Sequence, residues 1–240
     1  MKFLFLLACC NLFGSLPLLE DYHKALVIAE LYEKPIAVIL GSLDEVVKDP
    51  LFADAVGSEF IFVRLPGSAP ATIVLLDKEE REITSVGYQG ESAEELAKFL
   101  KGRLIKYYEL LRDYEKGEGL EALYEKAVEL GSFFYREKIL EKGLALQEGV
   151  FFLLEKYASF VNLGEKDLDE AKQIREQIIA RDPYNHTGAR LRLALIDFQE
   201  NHGKPEEVVA PLRAYIKEFG EVDSENLLKL NRILEAYGQG

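Results

Sequence analysis

The sequence predicts an α/β domain followed by an all-helical domain. Three observations carry this. Apolar runs at 36–40, 60–63 and 73–76 are continuous rather than alternating, which is how strands buried on both faces read. Amphipathic helical spacing stands before and after them, most clearly beyond Ser92. From Glu121 onward, apolar residues recur every third or fourth position and no strand pattern returns. We set the first domain at 20–116 and the second at 120–240, with Gly117 and Gly119 as the break.

The elements follow in order. Ala25, Ile28, Ala29 and Tyr32 mark one face of a helix between Asp21 and Lys34. Pro35 ends it and opens the first core strand, Ile36 to Leu40. A weaker helix from Leu43 to Val56 is interrupted by Asp49-Pro50 and stopped by Gly57. Phe60 to Val63 is the second strand and Ile73 to Leu76 the third. Asp77 to Glu80 is polar and reads as a hairpin turn, leading to a fourth strand from Glu82 to Gly87. Ser92 with Glu95 three positions on forms a capping box. The helix it opens carries Leu96, Phe99, Leu100, Leu104, Tyr107, Tyr108 and Leu111.

In the second half, Gly131, Gly143, Gly149, Gly164, Asp182-Pro183 and Gly203 punctuate short helices. Helices open at Asp169 and again near Glu206, a spacing of about 36 residues that suits helix-pair repeats. Asp182-Pro183-Tyr184-Asn185, followed by a helix from Ala189 to Phe198, resembles the boundary of a tetratricopeptide repeat. Phe219-Gly220 and Asp223 to Asn226 form a looser second boundary. A plain helical bundle is the simpler alternative.

The first residues read differently. Met1-Lys2 precedes the apolar run Phe3 to Cys10, and the small residues Gly14 and Ser15 follow, which predicts a signal peptide over 1–15. Cleavage near Gly14 or Ser15 would leave a chain without cysteine. Alternatively, Leu6-Leu7-Ala8-Cys9 resembles a bacterial lipoprotein box with Cys9 as the lipidated residue, and only then would the protein be membrane-bound. Either route places the protein in the periplasm or cell envelope. The net charge of −13 repels phosphate backbones, so nucleic acid is not an expected partner.

Little in the sequence points to catalysis. His23, His186 and His202 are scattered and give no zinc spacing. Ser42 has no histidine near it to act as base. Asp44 and Glu45 are better read as helix-capping and dipole-compensating residues. No phosphate loop or other cofactor motif is present. The aromatic clusters Tyr107-Tyr108, Phe133-Phe134-Tyr135 and Phe151-Phe152 cannot each lie on one helix face. We read them first as a contact between the two domains and second as a partner groove.

The N-terminal half resembles thioredoxin-like proteins, especially exported bacterial disulfide-isomerase-like members. The residues that carry the resemblance are Lys34-Pro35 before the first strand, Gly41-Ser42 after it, Ser58-Glu59-Phe60 before the second, and Pro70 before the third. Gly87-Tyr88 then closes the fourth strand ahead of the capped helix. The resemblance implies an α/β thioredoxin-like domain followed by the helical repeat-like domain. The family's Cys-x-x-Cys is missing, because Leu43-Asp44-Glu45-Val46 follows Gly41-Ser42, and the connection Arg64 to Ala69 is short. Disulfide exchange needs a thiolate, and none is available there. In the family, Pro70 would be a cis-proline, with Ala69 pairing its backbone with an extended peptide. Ser68, Ala69, Pro70 and Ala71 are therefore the candidate peptide-binding residues, and a turn-shaping role for Pro70 is the plainer reading. The expectation is a redox-inactive, non-enzymatic binding, scaffold or chaperone-type protein of the envelope with a protein or peptide client. The alternative is a thiol-disulfide oxidoreductase or isomerase using cysteines outside the normal motif.

Overall fold

The structure, a computed structural model, describes residues 16–67, 71–146, 149–199 and 205–237. Five strands form one mixed sheet: β1 (Leu18–Leu19), β2 (Ile36–Leu40), β3 (Ile61–Leu65), β4 (Thr72–Leu76) and β5 (Glu82–Gly87). Their order is β1-β3-β2-β4-β5. β1 and β2 flank β3 in parallel, while β4 runs antiparallel to both β2 and β5. The central strand β2 is buried through Ile39, which is why its sequence does not alternate. β1 is an addition to the sequence reading. Its two leucines pair with Phe62 and Val63 of β3, and two residues carry no readable period.

Helix α1 (Tyr22–Tyr32) opens under an Asp21 side-chain cap and ends at Glu33, which takes a left-handed conformation ahead of Pro35. Ala25 and Ala29 set it close against Ile36, Val38, Ile61 and Val63 on one face of the sheet. The predicted helix from Leu43 to Val56 is two helices, α2 (Asp44–Val47) and α3 (Pro50–Val56). Asp49 caps α3 and Pro50 takes its first position, where a missing N–H costs nothing. On this side, Phe52 and Phe60 meet the ring of Phe62 edge-on at 5.8 and 5.9 Å. The long helix α4 (Ala93–Glu115) carries the complete Ser92–Glu95 capping box. The architecture is an α/β thioredoxin-like domain followed by an all-helical region.

That region comprises α5 (Leu120–Leu130), α6 (Phe133–Ala145), α7 (Phe151–Asn162), α8 (Asp169–Arg181), α9 (Ala189–Gln199), α10 (Pro205–Phe219) and α11 (Ser224–Ala236). The chain divides into two compact units, one running to Ile139 and the other starting at Leu140. Gly117 and Gly119 separate α4 from α5, yet α5 and most of α6 fall within the first unit. Within the second unit, Leu153, Leu154, Tyr157 and Val161 of α7 pack with Ile174 and Ile178 of α8 and Leu193 of α9. A further core joins α9, α10 and α11 around Val209, Leu212, Tyr215, Leu230 and Leu234.

Candidate functional site

The C-terminal ends of β2 and β3 form the corner where a thioredoxin-like sheet presents its chemistry. Gly41 leaves β2 with φ +94°, a conformation that favours glycine, and its N–H donates to the Leu65 carbonyl at 3.3 Å. Gly67, after β3, lies directly on this turn. A Cβ there would stand 2.7 Å from the Gly41 nitrogen and 2.8 Å from the Leu40 carbonyl carbon. The two glycines therefore hold the connections after β2 and β3 in backbone contact.

Polar side chains around the turn bind each other. The Ser42 hydroxyl donates to Asp44 at 2.6 Å, and the Arg64 guanidinium reaches the other carboxylate oxygen at 2.7 Å. The serine hydrogen bond first, then the arginine, hold the Asp44 carboxyl below its ordinary range. A carboxylate so stabilised is a weak base toward Ser42, so this trio does not make an activated nucleophile. Asp44 and Glu45 do stand in the first turn of α2, as expected for dipole compensation, but the capping part of the sequence reading is corrected. The helix cap position is Leu43, without a side-chain cap bond, and the Asp44 carboxylate ties α2 to β3 through Arg64.

The predicted peptide-binding residues are only partly placed. Ser68, Ala69 and Pro70 lie outside the described residues, as do Cys9 and His202. Ala71 is buried, and its carbonyl accepts the Tyr88 N–H at 2.7 Å. That carbonyl is thus used in extending the β4–β5 ladder. His23 and His186 are both exposed, in different compact units. Among the described residues, no three His, Cys, Asp or Glu side chains are grouped to hold a metal ion.

A second polar centre was missed by sequence reasoning. Asp77, read from the sequence only as part of a polar hairpin turn, is 4% accessible. It accepts from the Glu79 and Arg81 N–H groups at 2.9 and 3.0 Å, from Arg81 Nε at 2.7 Å, and from the Tyr107 hydroxyl at 3.0 Å. The Tyr135 hydroxyl lies 3.4 Å away and meets that of Tyr107 at 3.3 Å. Burial opposes ionisation of Asp77, but these donors outweigh it and hold the carboxyl below its usual range. Burial, reinforced by the neighbouring tyrosine and carboxylate, pushes Tyr107 well above an ordinary phenol. Asp77 and Arg81 four positions apart flanking a turn were the available signal. The aromatic clusters divide accordingly. Tyr107 and Tyr135 pack on Asp77 inside the first unit, Phe152 is buried in the second, and Phe133 stays exposed.

The chain is similar to the thioredoxin-related protein DsbJ of Chlamydia pneumoniae, with 26% identity over 266 aligned positions. The alignment covers 90% of this chain and 76% of that protein. No family model matches the chain. No solved structure matches it either.

Proposed function

We propose that this protein is a non-redox, thioredoxin-like binding or scaffold protein of the bacterial envelope that holds a protein or peptide client, in the manner of a chaperone. One observation carries the reading. The corner after β2 is filled by Ser42, Asp44 and Arg64 and backed by the Gly41–Gly67 contact, with no cysteine in the chain beyond Cys10. A corner of this composition leaves backbone and side-chain contacts, rather than thiol exchange, as its means of acting on a polypeptide. The similarity to a thioredoxin-related protein of Chlamydia pneumoniae supports the envelope assignment, and so does the N-terminal sequence, which reads as an export signal. Among the described residues no helix is long and apolar enough to cross a membrane. Lipidation of Cys9 is the alternative route by which the chain would be held to a bilayer.

The test measures two activities on protein isolated from the envelope of the organism that makes it. One is suppression of aggregation of a reduced, unfolded client. The other is reduction of insulin disulfides by dithiothreitol. Suppression without acceleration of insulin reduction is the expected result. Acceleration that disappears in Cys9→Ser/Cys10→Ser protein would replace this reading with a thiol-disulfide enzyme working through cysteines outside the usual motif.

A further inference from the structure

We propose that the chain forms a two-fold dimer in which the outer face of α4 packs antiparallel against the same face of a second copy. This goes beyond the client-holding function and does not depend on it. α4 is 23 residues long, and Leu96, Leu100, Leu104, Tyr107 and Leu110 turn one side of it into the core. The opposite side carries Lys98, Gly102, Ile105 and Glu109, spaced four, three and four positions apart. That alternation is the spacing of a seam between two helices. All four residues are exposed, Ile105 at 59%.

Gly102 is the first sign of a partner. Glycine inside a helix is destabilising relative to alanine, so its presence there calls for a reason. Gly102 lies in the interior of α4 and has no positive φ. A Cβ built on it would meet nothing within 4 Å. Neither the backbone conformation nor packing within this chain therefore requires glycine at this position. What the missing side chain does provide is room for another helix to approach from outside. Ile105, a turn further along the same face, is a bulky apolar side chain of the kind that fills such a gap.

Charge fixes the orientation. Place the two-fold axis midway between Gly102 and Ile105. Residues equally far from the axis on its two sides then come together. Each Ile105 lies over Gly102 of the second copy, and each Lys98 meets Glu109 of the second copy. On one flank of the seam, Lys101 comes beside Tyr108 of the second copy, whose ring is 51% exposed and open to a cation. A parallel pair would instead set Lys98 on Lys98 and Glu109 on Glu109, which like charge disfavours.

These groups are available for such contacts. Among the described residues, Lys98, Lys101 and Glu109 form no ion pair. Arg112 is drawn onto Asp113 at 3.1 Å, and Glu95 closes the cap of its own helix, so the seam ends before both. The seam is short and its ion pairs lie at the rim. The dimer is therefore a weak, concentration-dependent one, with charge setting its register and the Ile105–Gly102 contacts its core.

Sedimentation velocity on the full chain over a concentration series tests this. The wild type is expected to pass from monomer to dimer as concentration rises. Gly102→Leu is expected to remove the dimer. Gly102→Ala is expected to raise the urea midpoint of the monomer while weakening the dimer, two effects of opposite sign that a purely structural glycine would not give. Lys98→Glu and Glu109→Lys are each expected to associate roughly tenfold or more weakly than the wild type. Mixed together, these two variants are expected to form a one-to-one dimer, because mixing restores both ion pairs. Helical circular dichroism stays unchanged in all of them, since every substituted position is exposed. A wild type that remains monomeric at the highest concentration would overturn the proposal and leave this face to a different protein. A dimer undiminished by Gly102→Leu, or charge variants that fail to associate when mixed, would overturn it as well. Each of these results leaves the client-holding function standing.

Discussion

Asp77 shows how a single residue can be misjudged from its neighbours. Asp77-Lys78-Glu79-Glu80 has turn composition, and a turn is what forms, yet its first carboxylate is enclosed and bound by backbone N–H groups, Arg81 and Tyr107. Removing the charge in Asp77→Asn keeps the shape and weakens several charge-assisted bonds, a loss of about 2–3 kcal/mol. Because the folded carboxyl titrates lower than the unfolded one, its stabilisation is complete above about pH 4 and disappears as pH falls through the folded value. Tyr107 has the opposite sign. Its folded phenol titrates higher, so its contribution holds below about pH 10 and is lost as pH rises beyond it. Urea midpoints measured from pH 3 to 7 should fall more steeply toward acid for the wild type than for Asp77→Asn. Parallel curves would show that the carboxylate is not the acid-sensitive element.

At the scale of elements, the helices α5 and α6 belong with the sheet. Arg103 of α4 donates to the carbonyls of Glu129 and Leu130 at the end of α5. Gly131 then turns with φ +75°, where a Cβ would come within 3.2 Å of the Thr84 hydroxyl. Ser132, fully buried, donates to the Glu82 carbonyl of β5 at 2.9 Å and accepts the Tyr135 N–H. Leu120, Leu123, Tyr124, Ala127 and Leu130 are the buried face of α5. Each large apolar side chain contributes about 1.5–3 kcal/mol on burial. A fragment of residues 16–116 should therefore lose stability comparable to the whole margin of an ordinary domain, about 5–15 kcal/mol. A fragment of residues 16–145 should unfold cooperatively in urea. Equal midpoints for the two would mean that α5 and α6 merely decorate the sheet.

For the whole molecule, the edge of the sheet limits where an export signal can be cut. Leu16 is 7% accessible, and Leu18 and Leu19 form β1 against β3. If an export signal is removed, processing that keeps β1 leaves an N-terminus no later than Leu16, a condition that cleavage near Gly14 or Ser15 and cleavage before Cys9 both meet. Intact mass of the mature protein reads this directly. A chain starting beyond Leu18 would have lost its edge strand and would contradict the sheet order.

What the sequence determined by itself was everything governed by local periodicity and by residues with one conformational use. The apolar runs of β2, β3 and β4, the Ser92 capping box, Pro35, Pro50 and the alternation of the last helices were all legible. The missing thiols of the corner were legible too, because cysteine has no substitute in exchange chemistry. Only the tertiary structure decided that Asp77, Tyr107 and Tyr135 share one buried centre and that Ser42, Asp44 and Arg64 close on one another. These residues are 28 to 58 positions apart in the first centre, and Arg64 is 20 positions from Asp44 in the second. Neither the 3.6-residue nor the two-residue period carries information across such separations. Their proximity follows from how helices and strands stack, which depends on the packing of whole faces rather than on any local run of residues.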